Sequence, residues 1–263
     1  MTATPATADW PYPFWIAHRG AGKLAPENTA AAFRLGQRLG WRMAECDVKL
    51  SGDGLPFLLH DDRLERTTSG RGTAASRSWA ELSGLDAGAW HGPAHAGEPL
   101  MTLEQLAAWS QAAGTDLNLE IKPCPGREEE TGRAVAQAAQ RLWAGRRPPL
   151  LSSFRPDALA AAAQAAPGLP RALLIDSCWP GWLDAARGPL GCVAVVAHAP
   201  LIDAALAQQV ISAGLRLLAY TVNDAAEACR LLSLGVAGLI SDAVDRFDPS
   251  AGAAVRERGG RPA

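Results

Sequence analysis

The stretch RLGWRMAECDV (residues 38–48) decides the fold. An Ala/Leu-rich run of helical spacing ends near Gly40 and an apolar run of strand length follows at once, with glycine supplying the positive φ that a helix C-terminus uses. The same punctuation recurs in AAGTDLNLEIK (112–122), SAGLRLLAYTV (212–222) and SLGVAGLIS (233–241). Working outward from these junctions, the pattern predicts strands near Phe14–His18, Met43–Val48, Asp116–Ile121, Leu150–Ser153, Ala172–Ile175, Val193–Val196, Leu217–Thr221 and Leu239–Ser241. Helices are predicted near Thr29–Leu39, Leu103–Ala113, Glu128–Leu142, Pro156–Ala165, Gly181–Arg187, Ala204–Ala213 and Ala225–Leu234. Strand followed by helix nearly throughout demands parallel strands and right-handed crossovers. Eight such strands in 263 residues fit a TIM (β/α)8 barrel, which typically takes ~250. A doubly wound open sheet is the alternative, but the first βα turn, HRGAGKLAPENT (18–29), lacks the G-x-G-x-x-G of a dinucleotide site.

The interval from His60 to Met101 is rich in Gly, Ser, Arg and Trp and cannot be one crossover helix. It reads as an insertion after strand two, about 61–100, either a loop or a small subdomain, of the kind that often covers a barrel site. Residues 1–263 are therefore read as a single barrel domain with a frayed tail at about 249–263. Twenty-five basic against 27 acidic residues leave a net charge of −2, so the single-sign field that nucleic-acid or anionic-membrane binding uses is missing. Cys46, Cys124, Cys178, Cys192 and Cys229 are odd in number and form no C-x-x-C pair, which argues against a disulfide framework or zinc knuckle. No basic residue precedes His18, so no secretory signal is expected, and the most apolar stretch, Gly188 to Ile202, falls short of the ~20 residues of a membrane span. These features lead us to expect a cytoplasmic protein with a small-molecule partner, no nucleic acid and no stable membrane association. The oligomeric state leaves no mark in the sequence.

In a parallel barrel the reactive groups stand at the C-terminal strand ends. Strand one ends in His18-Arg19-Gly20, strand two carries Glu45-Cys46-Asp47, and the third predicted strand leads into Glu120-Ile121-Lys122. The period of two puts Glu45 and Asp47 on one face with Cys46 on the other, and Glu120 with Lys122. If those faces point into the mouth, three carboxylates converge, and they cannot all stay ionised there without a cation. Carboxylate oxygens are the hard ligands of Mg²⁺ or Ca²⁺, with Mn²⁺ a further option. His18, and His60 at the end of the run LPFLLH (55–60), suit general acid and base work at neutral pH. His91, His95 and His198 read as structural. Arg19 and Lys122 add positive donors for an anionic group such as phosphate.

Several segments together resemble the glycerophosphodiester phosphodiesterase family, bacterial and cytoplasmic in type: HRG (18–20), APENT (25–29), ExD (45–47), GDGxPxxxHDDxLxRTTxGxG (52–72), LDAGxW (85–90), GEPLMTLEQ (97–105), LNLEIK (117–122), SSF (152–154), YTVN (220–223) and GLISD (238–242). Their order and spacing span nearly the whole chain. The resemblance implies a TIM barrel with an insertion after strand two and metal-dependent hydrolysis of glycerophosphodiesters, such as glycerophosphocholine or glycerophosphoethanolamine, to sn-glycerol 3-phosphate and an alcohol. It implies Glu45, Asp47 and Glu120 as metal ligands, His18 and His60 as the acid/base pair, and Arg19 and Lys122 as phosphate-binding residues. Cys46 stands where relatives often have an aliphatic residue, and Ala243-Val244 replaces a commoner aromatic-proline pair. Tyr220 replaces a frequent tryptophan, where an aromatic ring would pack on the substrate glycerol or close the mouth.

Two routes fit these groups: attack by water, or attack by the glycerol 2-hydroxyl through a cyclic phosphate, the second favoured by intramolecular proximity. A lysophospholipase D-like or sphingomyelinase D-like lipid phosphodiesterase would use the same residues with a wider mouth. An inactive barrel serving as a binding module would usually have lost a ligand or a histidine, and all five are present.

Overall fold

In the computed structural model, which describes residues 10–252, strand-then-helix order builds a closed barrel. The strands are β1 (Trp15–Ala17), β2 (Met43–Leu50), β3 (Pro56–Leu58), β4 (Asp116–Ile121), β5 (Leu150–Ser153), β6 (Arg171–Ile175), β7 (Ala194–His198), β8 (Arg216–Tyr220) and β9 (Gly238–Ser241). Eight of them pair in parallel in the order β1-β9-β8-β7-β6-β5-β4-β2, and a β1–β2 pairing closes the ring. β3 lies outside the ring, antiparallel to β2 with Val48 opposite Leu58, a ninth strand beyond the eight expected. Its three residues, in the apolar run before His60, are too short a run for period-two alternation to reveal.

The helices are α1 (Ala30–Arg38), α2 (Trp79–Leu82), α3 (Leu103–Ala113), α4 (Glu128–Leu142), α5 (Pro156–Ala165), α6 (Trp182–Arg187), α7 (Ala204–Ser212) and α8 (Ala225–Ser233). At the four junctions that set the reading, Gly40, Gly114, Gly214 and Gly235 have φ of 86°, 62°, 79° and 82°, each ending a helix in the left-handed region.

Pleating sorts the side chains of each barrel strand. Cys46 and Val48 of β2 and Leu117, Leu119 and Ile121 of β4 face outward into the apolar layer beneath the helices. Ile16, Met43, Leu150, Leu174, Val196, Leu218 and Ile240 fill the barrel interior. Tyr12 packs with this interior cluster, its hydroxyl donating to the Pro148 carbonyl at 2.8 Å. Above this apolar filling the inward positions of β2 and β4 become polar.

Residues of the expected insertion pack against β3 and the residue after it: Phe57, Leu59, Leu64, Ala74, Leu82, Ala87 and Leu100 form one apolar cluster. α2 begins with a capping box between Ser78 and Glu81, and Asp86 accepts hydrogen bonds from the backbone N–H groups of Gly88, Ala89 and Gly97. At the C-terminus Pro249–Ala251 form a 3-10 turn capped by Asp248. Residues 253–263 of the expected frayed tail, and residues 1–9 of the N-terminal stretch read for a signal, lie outside the described residues.

Candidate active site

The register of β2 on β4 sets Glu45 opposite Asn118 and Asp47 opposite Glu120, all four directed into the barrel. One ligand oxygen from each of Glu45, Asp47 and Glu120 lies within 4.8 Å of the others, and the residues are 3%, 1% and 8% exposed. Glu45 Oε1 and Asp47 Oδ1 are buried without a hydrogen-bond partner. Orphaned carboxylate oxygens at this depth cost free energy unless a proton or cation meets them, and an all-oxygen donor set of this kind fits a hard divalent ion. Burial, then the Asp47 charge, push the Glu45 carboxyl up from 4.5 to about 8. Burial and Asp47 raise Glu120 as well. Burial also opposes ionisation of Asp47, but the charges of Arg19, Lys122 and His60 and a hydrogen bond from Asn28 outweigh it and hold that carboxyl well below its usual range.

Asn28 grips Asp47 twice. Its Nδ2 donates to Asp47 Oδ2 at 2.8 Å, and its Oδ1 accepts from the Asp47 backbone N–H at 3.1 Å. Asn28 and Arg19 both have left-handed backbone, with φ of 61° and 49°, and Asn28 N–H donates to the Arg19 carbonyl. Such conformations are costly for side chains with a Cβ, and here they turn the β1–α1 loop so that Arg19 N–H reaches Glu45 Oε2 at 3.1 Å. Arg19 Nη1 donates to Glu27 at 2.8 Å while its Nε lies 3.3 Å from Asp47 Oδ2. Lys122, one residue beyond β4, donates to Glu120 Oε1 at 2.8 Å and holds its Nζ 3.6 Å from Asp47 and 5.6 Å from the centre of the Phe154 ring.

Each histidine is pinned at one nitrogen. His18 Nδ1 lies 2.6 Å from Asp242 Oδ1, and its Nε2 is 3.8 Å from Glu45 Oε2. His60 Nδ1 lies 2.6 Å from Asp61 Oδ1. A carboxylate on Nδ1 fixes the ring and its tautomer and leaves Nε2 for proton transfer. Asp242 is itself held by Asn223, whose Oδ1 accepts the Asp242 backbone N–H at 2.8 Å. Asp61 accepts two bonds from Arg66, at 2.6 and 2.9 Å, and Arg66 also makes a bidentate pair with Glu27. A continuous chain of charge thus runs from His60 through Asp61, Arg66 and Glu27 to Arg19. For His18, burial favours the neutral ring, but the Asp242 hydrogen bond and the Glu45 charge outweigh it and raise the pKa. For His60 burial prevails and lowers it, despite Asp47 and Asp61.

Two adjoining cavities open here. One, of about 250 Å³, is lined by His18, Arg19, Glu45, Asn118, Leu174 and Tyr220 among others. The second, of about 370 Å³, extends toward Asp61, Asp62, Pro123 and Arg155, and the two share His60, Glu120, Lys122 and Phe154. Tyr220 packs edge-on against Phe154, with ring centres 5.7 Å apart, and its hydroxyl donates to the Ile175 carbonyl. His18, Arg19, Glu45, His60, Glu120, Lys122 and Tyr220 therefore line this cleft, and Asp47 lies buried beside it, opposite Glu120. His91, His95 and His198 line neither cavity.

The supporting residues Asn28, Asp61, Asp242, Glu27 and Arg66 had no role assigned from sequence. All five stand inside quoted motifs, Glu27 and Asn28 in APENT, Asp61 and Arg66 in GDGxPxxxHDDxLxRTTxGxG and Asp242 in GLISD, but as letters beside the reactive ones. Asp61 stands next to His60 in sequence, but Asp242 lies 224 positions from His18, where local spacing carries no sign of the pairing.

A model of the glycerophosphoryl diester phosphodiesterase family matches residues 18–246. The chain belongs to this family. Among solved structures it is similar to an Oleispira antarctica phosphodiesterase in complex with the product sn-glycerol-3-phosphate, with 37% identity, a TM-score of 0.84, and coverage of 88% of this chain and 94% of that one. A glycerophosphodiester phosphodiesterase of Caldanaerobacter subterraneus is 32% identical over 236 residues, 86% of this chain and 93% of that protein. YhdW of Bacillus subtilis is 32% identical over 237 residues, 88% of this chain and 94% of its own length. Among the described residues no helix of this family member is long and apolar enough to cross a membrane.

Proposed function

We propose that this phosphoric diester hydrolase cleaves glycerophosphodiesters, such as glycerophosphocholine and glycerophosphoethanolamine, to sn-glycerol 3-phosphate and an alcohol, working as one barrel domain. The observation that carries the reading is the meeting of three buried, incompletely paired carboxylates with two histidines, each pinned by a carboxylate at Nδ1. Glu45, Asp47 and Glu120 would hold a divalent cation, Mg²⁺ or Ca²⁺. When bound, such an ion supplies positive charge to a phosphate oxygen as negative charge grows on it. Arg19 and Lys122 bind the phosphate from the same side as the trio, and their existing carboxylate partners hold them in place for it. Of the two histidines, one takes the proton of the attacking hydroxyl and the other protonates the departing alkoxide, which leaves poorly otherwise. The Leu174, Phe154, Tyr220 and Ile240 side of the smaller cavity is apolar and suits the carbon face of glycerol.

The test is release of glycerol 3-phosphate from glycerophosphocholine, with and without EDTA. Release that stops on chelation and returns with Mg²⁺ or Ca²⁺ is expected. Activity on lysolipid with none on glycerophosphocholine would instead favour the lipid enzyme, and no release from any diester would favour a binding module.

A further inference from the structure

Glu45, Asp47, Asn118 and Glu120 occupy the four inward corners of the β2–β4 pair, Glu45 beside Asn118 and Asp47 beside Glu120. Side chains directly across a strand pair are near neighbours, so a cation shared by three corners faces the fourth. That fourth corner is neutral, is 1% exposed and lines the same cavity as Glu45 and Glu120. Both amide atoms of Asn118, Oδ1 and Nδ2, are buried without a hydrogen-bond partner, while the interior below is apolar with Met43, Leu150, Leu174 and Ile240. A buried carboxamide with none of its hydrogen bonds made is costly, and leucine of similar size would suit an apolar interior better. Its retention needs a ligand.

We propose that Asn118 is the neutral fourth member of the cation site, presenting Oδ1 to the ion beside the three carboxylates. Amide carbonyl oxygens are ordinary ligands of Ca²⁺ and acceptable ones of Mg²⁺. A neutral fourth donor adds an oxygen without a fourth negative charge beside three buried carboxylates. The inference rests on the metal reading above and adds to it one residue whose type carries no charge signal in the sequence.

Calorimetric titration of Mg²⁺ and of Ca²⁺ into the metal-free protein, without substrate, tests it. Asn118→Leu should weaken cation binding about tenfold or more, while the metal-free variant melts at or above the wild-type temperature because an unpartnered amide is gone. Asn118→Asp, which keeps an oxygen at the corner, should bind at least as tightly as wild type. Asn118→Ala, smaller than the native residue, repeats the Asn118→Leu test should leucine not be accommodated. Wild-type affinity in Asn118→Leu and Asn118→Ala overturns the proposal, as does equal loss in Asn118→Asp and Asn118→Leu. Unchanged cation affinity with a raised KM for glycerophosphocholine also overturns it, and assigns the amide to substrate. A wild-type protein that binds neither cation would sink the metal reading itself, a result distinct from all of these.

Discussion

Replacing Glu45 by glutamine should make the metal-free protein more stable at neutral pH and unable to hold its cation. Glu45 is 3% exposed, Oε1 has no hydrogen-bond partner, and burial followed by the Asp47 charge raises its carboxyl from 4.5 to about 8. A folded-state value above the unfolded one means that the native chain binds more protons between those two pH values. Stability contributed by this group is therefore present below pH 4.5 and is lost as pH rises toward 8. At pH 7 the proton taken up on folding costs about 3 kcal/mol, and near pH 4 the cost vanishes. Glutamine keeps the shape without the charge, so the cost disappears. For a chain of this size about 1 kcal/mol moves the melting temperature by ~2–4 °C, which puts the gain at roughly 6–12 °C at pH 7 and near zero at pH 4. Melting curves followed by circular dichroism in EDTA, from pH 4 to 8, measure it. Added Mg²⁺ or Ca²⁺ should raise the wild-type melting temperature by mass action and leave Glu45→Gln unmoved. A variant that melts below wild type at pH 7, or whose shift is the same at both pH values, would refute the picture of an unrelieved buried carboxylate.

His18→Ala and His60→Ala should retain cation binding but lose turnover on glycerophosphocholine by about 10²–10⁴-fold. The histidine that acts as general acid should matter much less for a p-nitrophenyl ester, and equal losses on both substrates would count against the division of labour. Asn28→Ala removes a charge-assisted hydrogen bond to buried Asp47 and should cost about 2 kcal/mol, read as a fall in denaturation midpoint, and weaken cation binding in calorimetry. Cys46→Val, on the outward pleat and fully buried, should keep both cation and activity, so a metal-free Cys46→Val would contradict the strand orientation. If the glycerol 2-hydroxyl is the nucleophile, a 2-deoxy diester should bind as a competitive inhibitor and resist cleavage, and phosphorus NMR should show a cyclic phosphate during turnover. Efficient cleavage with no cyclic species would decide for water.

The barrel was legible because its cause is local. Glycine at the helix ends, apolar runs of strand length and the alternation of the two need only neighbours within a few positions, and β4, β5 and α3–α5 fall on the predicted ranges. The two-residue period likewise placed Glu45 and Asp47 on one face and Cys46 on the other without any structure. β3 escaped because it is three residues long and owes its existence to an edge offered by β2. His18, His60, Glu45, Asp47, Glu120, Arg19 and Lys122 could be singled out as candidates because charged groups at strand ends are conspicuous by type. Only the folded chain shows what holds them, since Asp242 meets His18, and Arg66 joins Asp61 to Glu27, across long sequence separations. Asn118 is the extreme case. An asparagine inside an apolar strand has no charge to draw notice, and its significance comes from β2–β4 register and from burial without a partner, neither of which exists until the two strands pair.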